Sequence, residues 1–177
     1  MPGRLEEKVC VITGTGGSMG RESALAFARE RASVVGCDVT VEPAEATVGM
    51  VRDKGGEMVS MQPCRLSEPG DCRALVELAV STFGRIDVLF NLAALSYFNW
   101  LEDTTDEEWA LARRDEVDLV FYLTRTAWPH LKASGGAVVN MASLKRVAEL
   151  QDPPVTCPHD EQSGDHRDDA AAGDGGS

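Results

Sequence analysis

The stretch that decides the fold is VCVITGTGGSMG, residues 9–20. Its first five residues are mostly β-branched and predict a short buried strand. The glycine-rich loop begins a segment with apolar residues at helical spacing, and a second apolar strand, at 33–37, ends on Asp38. A strand, a glycine-rich turn, a helix, a strand and a closing acid are typical of a βαβ unit that binds a dinucleotide. Five features in this order favour such a site over a tight turn without a ligand.

The predicted loop suits a pyrophosphate group. Glycines let the backbone approach a phosphate, and the N–H groups and dipole at a helix start attract negative charge. We therefore expect cofactor contacts from five residues of the loop, Gly14, Thr15, Ser18, Met19 and Gly20.

Asp38 predicts which dinucleotide is preferred. A carboxylate at the end of the second strand accepts hydrogen bonds from a ribose diol and repels a 2′-phosphate. The next residue is Val39, so no arginine follows it to receive such a phosphate. NAD is therefore favoured over NADP.

Strands and helices continue to alternate along the chain. Apolar periodicity and boundary residues predict helix 43–54, strand 57–62, helix 69–83, strand 86–91, helix 106–132 and strand 137–141. The longest helix follows two threonines, Thr104 and Thr105, that each have a glutamate three residues on, as in a capping box. We expect this helix to bury Trp109, Ala112, Leu119, Val120, Leu123, Ala127 and Leu131. The alternation predicts an α/β, Rossmann-type doubly wound parallel sheet with strand order 3-2-1-4-5.

Composition and charge argue against several classes of protein. The chain has 177 residues and a formal net charge of −12, and nucleic-acid binding needs a basic surface. No apolar stretch approaches the roughly 20 residues of a membrane span, and the N-terminus has no signal-peptide region. The five cysteines are an odd, scattered set, which is typical of reduced thiols in a cytoplasmic protein.

The composition changes after Leu150. Residues 151–177 contain no Leu, Ile, Met, Phe, Tyr or Trp, and seven acids face one base. Such a segment buries too little apolar surface to offset its ordering entropy. We predict a folded domain at 1–144 and a disordered acidic tail at 145–177. Its possible metal ligands, Cys157, His159 and His166, fit no standard zinc spacing, so no metal site is expected.

Residues 8–144 resemble the short-chain dehydrogenase/reductase family, which consists of NAD(P)-dependent oxidoreductases. The loop after the first strand is similar to the family's Thr-Gly-x-x-x-Gly-x-Gly motif, with Ser18 in place of the middle glycine. Residues 83–94 resemble the strand that ends in Asn-Asn-Ala-Gly. Residues 136–143 resemble the strand that ends on the catalytic serine. The ordered strand ends at Asn91 and Ser143 favour this family over methyltransferases, which also have a glycine loop.

The resemblance implies roles for individual residues. Ser143 occupies the place of the serine that polarises the substrate carbonyl, and Asp118 that of an asparagine in a proton relay. Arg65 stands where the family usually has an aspartate that contacts adenine. Further cofactor contacts are implied at Arg65, Leu66, Asn91 and Ala93. The implied activity is hydride transfer between nicotinamide and a small alcohol or ketone.

The chain lacks the family's Tyr-x-x-x-Lys motif, because neither Tyr97 nor Tyr122 has a lysine four residues later. Nothing after Ser143 resembles the family's next helix or its sixth and seventh strands. We therefore expect an incomplete fold that binds NAD weakly and has little activity. Full-length members of the family are homo-oligomers, whereas this chain is expected to be monomeric or to aggregate. The alternative is a non-catalytic nucleotide-binding fragment or pseudoenzyme.

Overall fold

The computed structural model of the chain describes residues 3–95 and 99–142. Strands and helices alternate within them. They are β1 Val9–Thr13, α1 Ser18–Arg29, β2 Ser33–Cys37, α2 Val41–Asp53, β3 Glu57–Met61, α3 Pro69–Phe83, β4 Val88–Asn91, α4 Asp106–Arg113, α5 Leu119–Ser134 and β5 Ala137–Asn140. A 3-10 turn, Leu101–Asp103, precedes α4, and a π-helical turn, Arg114–Asp118, joins α4 to α5. The predicted tail lies outside the described residues.

The sheet is parallel and has the order β3-β2-β1-β4-β5. This order confirms the predicted topology. The strand register aligns the carboxyl ends, since Thr13 pairs with Cys37 and Asn91 pairs with Asn140. In sheets of this kind ligands bind outside the carboxyl ends, where the strand order reverses. That point lies between β1 and β4, directly beside the glycine-rich loop.

Alternate residues of β1 belong to two apolar cores, one on each face of the sheet. Val9 and Val11 pack in the core beneath α3 and α5, and Cys10 and Ile12 pack in the core beneath α1. The interior of β1 is fully buried on both faces, as expected for a central parallel strand. The carboxyl end of β1, which leads into the glycine-rich loop, is therefore packed on both faces.

The prediction of a single helix at 106–132 is wrong in one respect. A π-helical turn at Arg114–Asp118 interrupts it, and its extra residue shifts the buried stripe around the helix. Trp109, predicted to be buried, is 64% exposed, and Ala112 and Val120 are only partly buried. The predicted burial is confirmed for Leu119, Leu123, Ala127 and Leu131.

The predicted helix boundaries otherwise hold to within one or two residues. The helix α3 begins with Pro69 in its first turn and ends at Gly84, which has a φ of +79°. Thr105 and Glu108 form the predicted capping box, with both reciprocal hydrogen bonds present. The second helix begins at Val41 rather than Pro43, because proline is tolerated within the first turn.

One side of α5 is exposed among the described residues. Phe121 and Trp128 are both more than half exposed, and the guanidinium of Arg125 lies 5.1 Å from the centre of the Phe121 ring. Val139 of β5 is also 47% exposed. Exposed apolar surface of this kind favours association. The expectation that the chain is monomeric or aggregates stays a prediction.

Asp87 is a buried carboxylate at the opposite, amino edge of the sheet. It accepts hydrogen bonds from the Val9 N–H at 3.0 Å and from Arg85 at 2.7 Å, and Lys8 lies 3.4 Å away. Replacing it by asparagine is expected to lower the free energy of unfolding by about 2 kcal/mol, because two cations lose a buried partner. Urea unfolding followed by circular dichroism measures this change. Unchanged stability would contradict the assigned role.

The same residue predicts a pH dependence. Burial raises the pKa of Asp87, but the Val9 N–H, Arg85 and Lys8 more than offset it and hold this pKa below its ordinary value. A carboxyl with a lowered folded pKa stabilises the fold above its unfolded pKa of about 4. This stabilisation is lost as the pH falls through the folded pKa. Carboxyl groups titrate between about pH 5 and pH 2. Over this range the free energy of unfolding should therefore fall less in the Asp87→Asn variant than in the wild type.

Candidate cofactor-binding site

The loop after β1 is held in a fixed shape by the end of β2. Gly14 has a φ of +74°, which favours glycine, and its N–H donates to the carbonyl of Cys37 at 2.8 Å. The N–H of Thr15 donates to the same carbonyl at 3.1 Å. A Cβ atom at Gly20 would lie 2.0 Å from the carbonyl oxygen of Gly14. The first turn of α1 therefore packs directly against the loop, and only glycine fits at position 20.

The start of α1 has the features of an anion site. The helix begins at Ser18, and its N-cap residue, Gly17, has no side chain to cap it. The first N–H groups of a helix have no partner within the helix, so they remain available to a ligand. Ser18 and Met19 are exposed there. The loop thus presents backbone donors and a positive helix end, with the exposed side chains of Ser18 and Met19 beside them.

Asp38 is bound to the loop by hydrogen bonds. One carboxylate oxygen, Oδ2, accepts the N–H of Gly16 at 2.8 Å. The other, Oδ1, accepts the N–H of Thr40 at 2.9 Å and its hydroxyl at 2.6 Å. The predicted pyrophosphate loop and the predicted ribose acid are therefore joined in one rigid unit.

Thr15 differs from the other predicted loop residues, because it is fully buried. Its hydroxyl lies 3.4 Å from the carbonyl of Cys37, and its own carbonyl accepts the hydroxyl of Thr47 at 2.8 Å. The side chain therefore faces the protein interior. Thr15 shapes the loop rather than presenting a side chain to a cofactor.

Thr13 joins β1 to the chain that follows β4, a role that the sequence prediction missed. Its hydroxyl oxygen accepts the N–H groups of Leu92 at 2.9 Å and of Ala93 at 2.8 Å. Ala93 in turn lies against Gly14, whose Cβ position would be 3.2 Å from the Ala93 Cα. Ala93 is therefore at the floor of the predicted site. The only signal in the sequence was a hydroxyl residue at the last position of an apolar strand.

Asn91 is buried at the carboxyl end of β4. Its amide nitrogen donates to the side-chain oxygen of Asn140 at 2.8 Å and to the Thr124 hydroxyl at 3.3 Å. Its side-chain oxygen has no hydrogen-bond partner among the described residues. The amide ties β4 to β5 and α5. It leaves one buried acceptor oxygen at the edge where ligands bind.

Arg65 and Leu66, two of the predicted cofactor contacts, have different environments. Arg65 is exposed, and its N–H donates to the carboxylate of Asp71 at 2.7 Å. It follows Cys64, whose N–H donates to the carbonyl of Asp38 at 2.8 Å, so this loop lies beside the ribose acid. Leu66 is 5% exposed and packs in the core. Only the Arg65 side chain, and not that of Leu66, is available to a base.

The two predicted catalytic residues are Ser143 and Asp118. Ser143 lies outside the described residues. Asp118 is partly buried at the junction of the π-helical turn with α5. The acid that is buried in this turn is Asp115, and its carbonyl accepts the N–H of Leu95, after β4, at 3.4 Å. Both residues stay candidates for a role near substrate, and sequence reasoning named only Asp118.

Several cysteines lie near this edge as buried thiols. The hydrogen bond between Cys37 and Cys64, together with burial, raises the pKa of the Cys37 thiol well above its usual value. Burial raises the pKa of Cys72 to about 12. These thiols stay protonated and are poor nucleophiles.

Over residues 3–95 and 99–142, no group of three possible ligands could hold a metal ion, and no helix is long and apolar enough to cross a membrane.

Comparison with known proteins defines the class of this fold. The short chain dehydrogenase family matches residues 8–152 of the chain. The chain therefore belongs to the short-chain dehydrogenase family.

Individual relatives agree with this assignment. Cyclohexanol dehydrogenase of an Acinetobacter species is 35% identical over 153 residues, which cover 85% of this chain and 61% of that protein. A 3-oxoacyl-[acyl-carrier-protein] reductase of Thermotoga maritima is 31% identical over 142 residues, covering 80% and 57%. A 7α-hydroxysteroid dehydrogenase, solved with NADH and 7-oxo glycochenodeoxycholic acid, superposes with a TM-score of 0.75 at 28% identity, covering 79% and 55%. The chain thus spans little more than half the length of these relatives.

Proposed function

We propose that the chain is the NAD-binding part of an oxidoreductase that acts on small alcohols or ketones. The observation that carries this proposal is the hydrogen bond from the Gly16 N–H to the Asp38 carboxylate. It joins the proposed phosphate-binding loop, beside the strand-order reversal, to the proposed ribose-binding acid at the end of β2. The similar 7α-hydroxysteroid dehydrogenase was solved in complex with NADH, which supports this cofactor.

The described residues fit a dinucleotide. The N–H groups at the start of α1 would bind the pyrophosphate, and Asp38 would accept hydrogen bonds from the adenosine ribose. The glycines at 14 and 20 let the loop pack closely against Ala93 and the first turn of α1, since a Cβ at either position would contact backbone atoms. Bound nicotinamide would supply the hydride donor or acceptor. At the same edge, Asn91 ties β4 to β5 and α5 through its side-chain amide.

The substrate-side chemistry is assigned by position. The hydroxyl of Ser143 would donate a hydrogen bond to a substrate carbonyl. Asp118, or Asp115 in the same helical turn, would hold a water molecule for a proton relay. The compounds named with two of the relatives, cyclohexanol and the bound 7-oxo glycochenodeoxycholic acid, are a secondary alcohol and a ketone. We propose the same broad substrate class for the complete protein.

Calorimetric titration with NAD and NADP tests the proposed cofactor. NAD is expected to bind more tightly, because the Asp38 carboxylate repels a 2′-phosphate. The variant Asp38→Asn should bind NAD about 10-fold more weakly and lose most of the preference for NAD, because a charge-assisted hydrogen bond is lost.

Two control variants complete this titration. Asp53→Asn changes an exposed acid at the end of α2 and should leave both affinities unchanged. Arg65→Ala removes an exposed cation from the loop whose Cys64 N–H donates to the Asp38 carbonyl, and should also preserve the preference for NAD. Tighter binding of NADP by the wild type, or unchanged NAD affinity in Asp38→Asn, would overturn the assignment.

A second candidate function is nucleotide binding without catalysis. The observation that favours it is the sequence itself, in which Tyr97 and Tyr122 are followed four residues later by Leu101 and Thr126. A 177-residue chain without Tyr-x-x-x-Lys has no evident group for the proton transfer that accompanies hydride transfer. Binding of NAD without turnover would distinguish this function from oxidoreduction.

A further inference from the structure

The acceptor capacity of Asp38 is largely used within the protein. A carboxylate has about four lone-pair positions, two on each oxygen. The Oδ1 atom already accepts both the N–H and the hydroxyl of Thr40, at 2.9 and 2.6 Å. The Oδ2 atom accepts the N–H of Gly16, which leaves one position on that oxygen. A ribose diol has two O–H donors, so Asp38 alone offers one acceptor too few.

The Thr40 hydroxyl supplies a second acceptor beside the first. Its single proton is donated to Asp38, so its lone pairs remain to accept a hydrogen bond. Thr40 is exposed, and its Oγ1 atom would lie 2.9 Å from a Cβ at Gly16, next to the loop that would bind the pyrophosphate. Thr40 is also the N-cap residue of α2, but its side chain makes no capping hydrogen bond. Its hydroxyl therefore has no other structural partner among the described residues.

We propose that Thr40 is a specificity-determining residue that accepts a hydrogen bond from one hydroxyl of the adenosine ribose, while Asp38 Oδ2 accepts the other. This inference rests on the proposed function and assigns a second side chain to ribose recognition. The free acceptor positions on Asp38 Oδ2 and on the Thr40 hydroxyl match the two O–H donors of an unphosphorylated ribose. A 2′-phosphate, which carries acceptors only, finds the donors of Thr40 and Gly16 already committed to Asp38.

The proposal is tested by asking whether removal of the Thr40 hydroxyl and removal of a ribose hydroxyl have non-additive effects on binding. NAD and its two analogues with 2′-deoxy- and 3′-deoxyadenosine are titrated into the wild type and into Thr40→Val by calorimetry. Loss of one neutral hydrogen bond should weaken NAD binding about 3- to 10-fold. With the analogue that lacks the hydroxyl bound by Thr40, the same variant should bind within about 2-fold of the wild type. A purely structural role of Thr40 would weaken all three ligands equally.

Control variants make the result specific. Thr40→Ser keeps the hydroxyl and should restore wild-type affinity and coupling. Thr82→Val removes an exposed threonine hydroxyl on α3 and should change nothing. If Thr40→Val does not fold, Thr40→Ala is titrated in its place.

Three results would overturn the proposal. Equal losses with NAD and both analogues would overturn it, as would unchanged NAD affinity in Thr40→Val. In both cases the wild type still binds NAD, so the proposed function stands. Failure of the wild type to bind NAD would overturn the proposed function and this inference together.

Discussion

Replacing Gly20 by alanine is expected to weaken NAD binding at least about 100-fold, or about 2.7 kcal/mol. The new Cβ would meet the carbonyl oxygen of Gly14 at 2.0 Å and the Thr15 Cα at 2.9 Å. Both contacts are with backbone, so they are relieved only if α1 moves away from the loop. That movement displaces the helix start from the position where it would bind a pyrophosphate. Calorimetry with NAD measures the affinity, and thermal unfolding should show a lower Tm.

The matched control is Gly49→Ala on α2. A Cβ at Gly49 meets no atom within 4 Å, and the residue is exposed. Alanine is favoured over glycine in a helix by about 1 kcal/mol, so this variant should be more stable and bind NAD as the wild type does. Wild-type NAD affinity in Gly20→Ala would contradict the geometry assigned to the loop.

The 177-residue chain is expected to oxidise alcohols and reduce ketones very slowly. Loss of a general acid–base residue typically lowers a rate about 10²- to 10⁴-fold, and the chain contains no Tyr-x-x-x-Lys. The proposed role of Ser143 is to polarise a carbonyl, which does not replace the proton transfer that the motif performs in the family. The measurement is NADH absorbance with a panel of cyclic secondary alcohols and ketones, against a family member that has the motif. Turnover at ordinary enzyme rates that Ser143→Ala abolishes would contradict this expectation.

The first βαβ unit was predictable because its determinants are local. The glycines, the strand ends and Asp38 lie within about thirty consecutive positions, and each is required by the backbone path or by the ligand. The parallel topology followed because alternating strands and helices permit few arrangements. The same reasoning correctly placed the helix ends at Gly84 and Thr105.

The remaining features depend on tertiary contacts that leave little trace in the sequence. The π-helical turn at Arg114–Asp118 changed which side of the long helix is buried, and helical periodicity assumes 3.6 residues per turn throughout. Periodicity thus placed Trp109 in the core and did not identify Asp115. Thr13 acts through hydrogen bonds to the chain that follows β4, and Thr40 through a hydrogen bond to a neighbouring acid. No sequence pattern distinguishes a threonine in either role from a threonine elsewhere in the chain.

The most direct test of the central claim is a titration of the ¹⁵N-labelled chain with NAD, followed by amide chemical shifts. The claim is that one edge of the sheet, at the carboxyl ends of β1, β2 and β4, binds the cofactor. We predict saturable shifts at residues 14–20, at Asp38 and Thr40 and at 91–93, with amides of the amino edge, such as Asp87, unchanged. Absence of saturable shifts, or shifts centred on the groove between α3 and α5 lined by Arg73 and His130, would contradict it.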